Sequence, residues 1–475
     1  MTGLAQHIDR IDSMETMELS GSVVSVEGLS VHVDHLPVPV GGLVRFEQRG
    51  HQLHQDQIVP RGEVIGFKQG TSIVMLFGES TGISPGTRVT GEQSAQTVQV
   101  GEGLLGRVIN GLGRPIDGKG PVLNTRPRLL MPDPTTALRR RRIQQPLPTG
   151  IRAIDAMVPI GKGQRVGVFS GPGVGKSTLL SSIARNTSAD VNVIGLIGER
   201  GREVRDFLED SLGAEGLARS VVVVSTGDES PLMRARAAFL SCSVAEHFRD
   251  QHQDVLLIMD SITRFAQAQR QIGLTAGEHP ATRGYTPSVF ALLPRLLERA
   301  GTLELGGSIT GLYAVLVEGD DLAEPIADAA RGILDGHLVL SRSLAARGHH
   351  PAIDMQESIS RVADDICGLP HQAARRRLGG LLASYRSAEE LISIGAYAAG
   401  SDPECDCAIS MMPQLDGFLR QPVQEKAAYP ETCKRVVELA ACSQAQSGKP
   451  VHSTAGGPVA STQVSNSPSS RITAT

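Results

Sequence analysis

The 475-residue sequence has no tryptophan, and aromatic residues make up only 3% of it. Proteins that bind single-stranded nucleic acid usually combine stacking aromatic side chains with a basic groove. This chain has few aromatics and a net charge of −4, so it lacks the composition for such a groove. We therefore expect no nucleic-acid partner, and an RNA translocase is a weak alternative for the function of this chain.

Cysteines and long apolar runs are also scarce. The six cysteines show no C-x-x-C spacing, and the single close pair, Cys405 and Cys407, has no second ligand pair to complete a metal site. No apolar run approaches the roughly 18 residues of a membrane span. The first residues are polar and lack the apolar core of a secretory signal. These absences predict a chain that works in the reducing cytoplasm and does not cross a membrane.

The N-terminal part shows the alternation typical of strands. After an arm over 1–18, residues 19–96 alternate apolar and polar positions between glycine turns, which predicts a small β-barrel. Such barrels can bind oligonucleotides, but few aromatic or basic residues lie in these strands, so a packing role is favoured. Residues 101–121 are rich in glycine and predict a chain of turns that leaves the barrel.

A linker follows that ends in four arginines, 139–142. They could bind an acidic lipid or partner, but charge runs beside linkers are usually solvated, and we favour that interpretation.

The central region, 97–374, alternates buried apolar strands with helices. Apolar runs at 166–169, 191–197, 221–224 and 255–259 are separated by helical patterns. Strands without polar alternation are buried on both faces, so the pattern predicts an α/β domain with a mainly parallel sheet. Ligands of such sheets bind at the carboxyl ends of the strands.

A phosphate-binding loop is predicted at the end of the first of these strands. The pattern G-x-x-x-x-G-K-[ST] is matched by Gly175, Lys176 and Ser177, although Ser170 stands where the first glycine is expected. The alternative is an ordinary glycine-rich turn between a strand and a helix. The motif predicts a bound nucleotide with Mg²⁺, with Lys176 reaching the outer phosphates and Ser177 holding the metal. The predicted nucleotide-binding residues are Gly171, Pro172, Gly173, Val174, Gly175, Lys176, Ser177 and Thr178.

Two carboxylates end other apolar runs of the same sheet. Asp260 follows VLLIM, as expected of an aspartate that holds Mg²⁺ at a strand end, and Glu199 follows VNVIGLIG. A carboxylate in the position of Glu199 can orient and deprotonate the attacking water. The alternatives are a turn aspartate and a surface glutamate, which spacing alone leaves open.

Helix-forming residues dominate 375–444 and predict a C-terminal helical domain, with 375–377 (three arginines) on a solvated helix face. Residues 445–475 have almost no large apolar side chains and predict a disordered tail.

Seven segments follow one another along the chain: GRVINGLGRPIDGKGP, PLPTGIRAIDAMVPIGKGQRVGVF, SGPGVGKST, IGERGREVRDF, LLIMDSITRFAQAQR, GEHPATRGYTPSVFALLPRLLERAG and PAIDMQESISR. Together they resemble the ATPase family that contains the subunits of rotary ATP synthases. LLPRLLERAG, at the end of the sixth segment, and LLASYRSAEELISIGAYAAGSD, further along the chain, resemble its type III secretion and flagellar export branch in particular. The resemblance implies a RecA-like P-loop core between the barrel and the helical domain, with ATP as the nucleotide.

The resemblance also implies roles for individual residues. Lys176 and Asp260 match phosphate and Mg²⁺ ligands, and Glu199 matches the catalytic glutamate. Arg200 and Arg264 match arginines near the phosphates, and Arg361 in ESISR matches the finger that reaches into a neighbouring subunit. His350 stands where the synthase catalytic subunit has a tyrosine that stacks on adenine. The segment GEHPATRGYTPSVF is predicted to be a loop, and in the family this region lies toward the central pore and a stalk; for Tyr285 a plain surface loop is the alternative.

Possession of both Glu199 and Arg361 distinguishes branches of the family, because rotary synthases place these two residues on different subunits. A ring of identical copies could complete every site here, and the chain lacks the acidic DELSEED-like run of synthase subunits. The resemblance thus implies a homohexameric secretion ATPase at the cytoplasmic, inner-membrane base of an export apparatus. Its implied partners are stalk and regulator proteins, chaperones and exported proteins, with peripheral membrane association. The alternatives are a flagellar export ATPase, a proton-linked synthase subunit and a non-catalytic nucleotide-binding subunit.

Overall fold

A computed structural model describes residues 18–47, 59–93, 96–317, 319 and 321–447. The predicted arm over 1–18 lies outside the described residues except for residue 18. The predicted tail from 445 lies outside them except for 445–447, which belong to the last helix.

The N-terminal strands close into a six-stranded barrel, which confirms that prediction. The strand order is β1-β2-β5-β4-β3-β6, and every pairing is antiparallel. Alternate side chains, among them Val31, Val33 and Val74, fill the interior. The strands are β1 (Ser20–Glu27), β2 (Ser30–Asp34), β3 (Leu43–Phe46), β4 (Arg61–Lys68), β5 (Thr71–Leu76) and β6 (Arg88–Gln93).

The central domain contains one large, mainly parallel sheet, as predicted. Its order is β17-β16-β10-β15-β13-β11-β12-β8, with β17 antiparallel at one edge and β14 paired beside β15. The strands are β8 (Val108–Asn110), β10 (Arg165–Ser170), β11 (Val191–Ile197), β12 (Ser220–Ser225), β13 (Asp254–Asp260), β14 (Gly301–Thr302), β15 (Ser308–Leu316), β16 (Gly336–Leu340) and β17 (Ile353–Ser360). A separate ribbon pairs β7 (Thr97–Val100) with β9 (Arg126–Leu129).

Helices cover both faces of this sheet and form the C-terminal domain. In the central domain they are α1 (Arg152–Met157), α2 (Lys176–Asn186), α3 (Gly201–Asp206), α4 (Gly213–Ala218), α5 (Pro231–Arg249), α6 (Ile262–Thr275), α7 (Pro287–Leu297), α8 (Pro325–Ile333), α9 (Arg342–Ala346) and α10 (Ala363–Ile366). The C-terminal helices are α11 (Leu369–Ser393), α12 (Pro403–Leu419) and α13 (Tyr429–Ser447). Helix α11 begins before the predicted domain boundary at 375. None of the helices described is long and apolar enough to span a membrane.

Two sequence-based expectations need correction. Residues 101–121 are more than a chain of turns, because β8 lies within them and pairs in parallel with β12 at the sheet edge. A three-residue strand between glycines is too short to show a hydrophobic period.

The solvated face predicted for 375–377 is wrong for two of the three arginines. Arg375 donates to the carbonyl of Met157, and Arg377 pairs with Glu404, so both side chains hold α11 against its neighbours. Only Arg376 is largely exposed, at 69% of its side chain. In the run 139–142, Arg140 likewise donates to the carbonyl oxygen of Ala300 at 2.8 Å, whereas the other members are exposed.

Candidate nucleotide-binding and catalytic site

The predicted phosphate-binding loop joins the end of β10 to the start of α2. Gly173 and Gly175 adopt φ angles of 78° and 93°, in the left-handed region that glycine reaches without strain. Gly175 is the N-cap of α2, so the helix begins at Lys176, and its first N–H groups have no partner within the helix and face the loop. The loop is therefore built to hold an anion with backbone donors and the positive end of a helix.

Three charged side chains meet beside this loop. The Lys176 ammonium contacts Asp260 Oδ1 and lies 3.7 Å from Glu199 Oε1. Their side chains are only 10%, 5% and 15% exposed, respectively. Because β10, β15, β13 and β11 are neighbours in the sheet, the strands bring together residues that are far apart in the sequence.

Glu199 has the protonation behaviour of a general base. Burial and then the charge of Asp260 raise the pKa of Glu199 to about 7, against an opposing effect of Lys176. A catalytic base is most effective when its pKa lies near the working pH. Glu199 can thus accept a proton from water at neutral pH and release it again.

The residues at the start of α2 also fit a magnesium ion. Ser177 is exposed in the first turn of α2, next to Lys176, whose ammonium contacts the Asp260 carboxylate. A hydroxyl and a carboxylate are oxygen ligands, which Mg²⁺ prefers together with phosphate oxygens and water. The donor set predicted from the sequence is therefore chemically suitable for this ion.

The two arginines predicted near the phosphates occupy different environments. Arg264, in the first turn of α6, packs against Gly198, where an added Cβ would lie 2.8 Å from the Arg264 Cβ. Its buried Nε has no hydrogen-bond partner among the described residues. The Arg200 side chain is 85% exposed and pairs with Glu203 at 3.4 Å. The geometry therefore places Arg264 beside Glu199 and turns Arg200 outward.

Arg361 lies at the opposite end of the sheet from Lys176 of the same chain. Ser360 pairs with Gly336, and Gly336 lies beside Val166. Roughly 13 Å of strand separate Val166 from Ser170, at about 3.3 Å per residue. Arg361 itself is exposed, and its guanidinium contacts the carbonyl of Arg331 at 3.4 Å. A single chain therefore does not bring Arg361 to its own phosphate-binding loop.

A mainly apolar cavity of about 250 Å³ lies on the outer face of α2. His350 and Pro351 line one side of it, next to Val174 and Thr178 of the loop and helix. The chain between α12 and α13 closes another side with Gln421, Pro422 and Val423. Its position beside the phosphate loop suits a nucleotide base. Residues 421–423 were not predicted to take part, because no local motif marks them.

Ser170, the irregular position of the motif, leaves the loop intact but has an unusual environment. The residue is 2% exposed, and its hydroxyl has no hydrogen-bond partner among the described residues. A buried hydroxyl without a partner costs about 1–3 kcal/mol. The serine is tolerated here at some cost in stability.

We expect Ser170→Ala to raise the free energy of unfolding by about 1 kcal/mol, because it removes this hydroxyl and little volume. Denaturant unfolding measures the change, with Ser225→Ala as the control. Ser225 is also buried at a strand end, but its hydroxyl donates to Glu229 at 2.9 Å, so its loss should destabilise the chain. Equal destabilisation by both substitutions would contradict the prediction.

The segment GEHPATRGYTPSVF contains loop structure up to Thr286, apart from a short 3₁₀ turn at Thr282–Gly284, and Pro287 then begins α7. Tyr285 is only 5% exposed and packs edge-on against Phe290. Arg283 and its neighbours, rather than Tyr285, form the exposed part of this loop.

Comparison with known proteins agrees with this site. The family model of the ATP synthase alpha/beta family, nucleotide-binding domain, matches residues 150–360. The model of the T3SS EscN ATPase C-terminal domain matches residues 369–438.

Relatives match over most of the chain. The flagellum-specific ATP synthase of Treponema pallidum is 48% identical over 91% of this chain and 95% of its own length. The type 3 secretion system ATPase of Xanthomonas euvesicatoria is 49% identical over 88% of this chain and 93% of its own. A solved structure of the assembled ATPase EscN from enteropathogenic E. coli, in complex with its central stalk EscO, matches with a TM-score of 0.81 and 38% identity. It covers 88% of this chain and 100% of EscN.

Proposed function

This chain is a P-loop ATPase of the ATP synthase alpha/beta family, in the branch of flagellar and type III secretion ATPases, and we propose that it drives protein export as a ring. Relatives with flagellar and secretion names are almost equally identical to it. We therefore propose the activity that flagellar and secretion ATPases have in common: ATP hydrolysis coupled to chaperone release, unfolding and export of proteins.

The observation that carries the ring proposal is the placement of Glu199 and Arg361 at opposite ends of one sheet. In a head-to-tail ring, the surface of one copy that carries the phosphate loop faces the surface of the next copy that carries Arg361. Each site then takes Lys176 and Glu199 from one chain and Arg361 from its neighbour. A homohexamer is the assembly we propose, in line with the assembled state of EscN.

Within such a site the residues divide the chemistry of phosphoryl transfer. The loop backbone and Lys176 bind the phosphates, and Ser177 and Asp260 would hold Mg²⁺, which neutralises charge that develops on the phosphate oxygens. Glu199 orients the attacking water and takes its proton. Arg264 from the same chain and Arg361 from the neighbour stabilise the negative charge of the transition state.

The partners follow from the same proposal. A central stalk is supported by the complex of EscN with EscO, and the exposed loop around Arg283 is a candidate contact. Regulators, chaperones and exported proteins are the other partners we propose. The ring would act in the cytoplasm, with peripheral association at the inner-membrane base of the apparatus.

Mixing two inactive variants tests the shared site. Glu199→Gln and Arg361→Ala chains are combined before assembly, and ATP hydrolysis is compared with that of each variant alone. Random mixing in equal amounts pairs an intact glutamate with an intact arginine at about one interface in four, so activity should reappear in the mixture. A mixture as inactive as its components would overturn the shared site. Full activity of the Arg361→Ala chain alone would do the same.

A further inference from the structure

Gln164, just before β10, is a buried glutamine whose amide bonds to Asp335, just before β16, and to Ser360, the residue before Arg361. Its side chain is 0% exposed. Its Nε2 donates to the carbonyl oxygen of Asp335 and to Ser360 Oγ, each at 3.1 Å. Its Oε1 accepts from the N–H of Gly161 at 2.9 Å, which fixes the orientation of the amide. Both N–H groups of one amide are thus directed at the residues around Arg361.

The backbone at Arg361 depends on the same acceptor. The Arg361 N–H donates to the carbonyl oxygen of Asp335 at 3.0 Å, the oxygen that Gln164 also contacts. Ser360, the other partner of Gln164, is the residue immediately before Arg361. The amide therefore contacts Ser360 directly and shares the carbonyl oxygen of Asp335 with the Arg361 N–H.

Asp335 is itself rigidly held. Its carboxylate accepts from Arg165 Nε and Nη2, each at 2.9 Å, in a bidentate pair that is mostly buried. The next residue, Gly336, lies so close to β17 that an added Cβ would be 2.5 Å from the carbonyl oxygen of Ile359. The strand pair beside Arg361 is thus packed tightly, and Gln164 joins it to β10.

We propose that Gln164 is a positioning residue for Arg361, which sets the direction in which the arginine leaves the sheet edge. The Arg361 side chain is exposed, and its guanidinium makes a long hydrogen bond of 3.4 Å to the carbonyl of Arg331, so the direction of the side chain depends mainly on its backbone. The inference rests on the proposed function, in which Arg361 acts in the neighbouring site. Misplacement of a catalytic group by about 1 Å can lower a rate ~10²-fold.

Gln164→Met tests this role, since methionine is similar in length but cannot donate. We expect kcat to fall by about 10- to 100-fold with KM for ATP nearly unchanged, because the nucleotide pocket lies at the other end of β10. Gln269→Met is the matched control: Gln269 is also buried, and its amide donates to Ser288 at 3.2 Å, away from Arg361. If kcat of Gln164→Met equals that of the control, the positioning role is wrong.

Mixed rings separate positioning in the neighbouring site from damage to the chain's own site. Gln164→Met mixed with Glu199→Gln should regain activity, whereas Gln164→Met mixed with Arg361→Ala should not. The opposite pattern would show that Gln164 serves its own phosphate loop and would overturn the proposal. The pair Glu199→Gln with Arg361→Ala is the reference, and its failure counts against the shared site of the proposed function rather than against Gln164.

A milder variant serves if Gln164→Met does not assemble. Ser360→Ala removes one of the two acceptors of the Gln164 Nε2 group, from a half-buried position. We expect about a 5-fold lower kcat at unchanged KM, the effect of one hydrogen bond. A kcat equal to that of the unmodified chain would overturn the proposal.

Discussion

Arg361→Ala is expected to lower kcat for ATP hydrolysis by ~10³–10⁵-fold, the contribution typical of an arginine finger. The affinity for ATP should change little, because an arginine finger acts mainly on the charge that develops in the transition state. An interaction made mainly in the transition state lowers kcat and kcat/KM together. Steady-state hydrolysis by assembled rings, with nucleotide binding measured separately, tests both parts of this expectation.

Arg142→Ala is the matched control for this experiment. Arg142 is another exposed arginine, next to Arg141, whose carbonyl accepts from Thr302 of β14. Its loss should alter the rate several-fold at most. If both variants lost activity to a similar extent, the positive charge of this surface would matter rather than Arg361 itself. The assignment of Arg361 as an arginine finger would then be wrong.

The parts of the site that could be predicted from the sequence are those that depend on short local motifs. The phosphate loop needs glycines and a helix start within a few residues, so Gly175, Lys176 and Ser177 identify it. Asp260 and Glu199 each end a buried apolar run, and parallel strands of one sheet end at one edge. The barrel and the parallel sheet followed from hydrophobic period in the same way.

The other parts of the site, which could not be predicted, depend on contacts between segments that are distant in the sequence. The base cavity takes residues 421–423 from the link between two C-terminal helices, and nothing in their own sequence indicates that they reach α2. Tyr285 was a candidate pore residue, but its ring is buried against Phe290 because α7 starts directly after it. Contacts between segments that are far apart in the chain decide where such residues lie, and a single sequence does not reveal those contacts.

Strand β10 connects the two halves of the proposed site. At its carboxyl end it leads into the phosphate loop, and at its other end Gln164 and Arg165 hold the segment of Arg361. A displacement along this strand would therefore reach both the chain's own site and the site of its neighbour.

Glu199→Gln is expected to lower kcat by ~10²–10⁴-fold, the usual contribution of a general base, while ATP still binds. The pH profile of the unmodified ring gives a second readout. With the pKa of Glu199 raised to about 7, the ionised base predominates above pH 7. Below that pH the rate should fall ~10-fold per pH unit, because only the ionised carboxylate can accept a proton.

Glu203→Gln is the control for the base assignment, because Glu203 lies one turn further along the chain and its charge contributes to the raised pKa of Glu199. This variant should keep most of the activity and move the acid limb of the profile to slightly lower pH. In Glu199→Gln the acid limb near pH 7 should disappear from the residual activity. If the limb persists there unchanged, another group accepts the proton, and Glu199 serves only to hold water or metal in place.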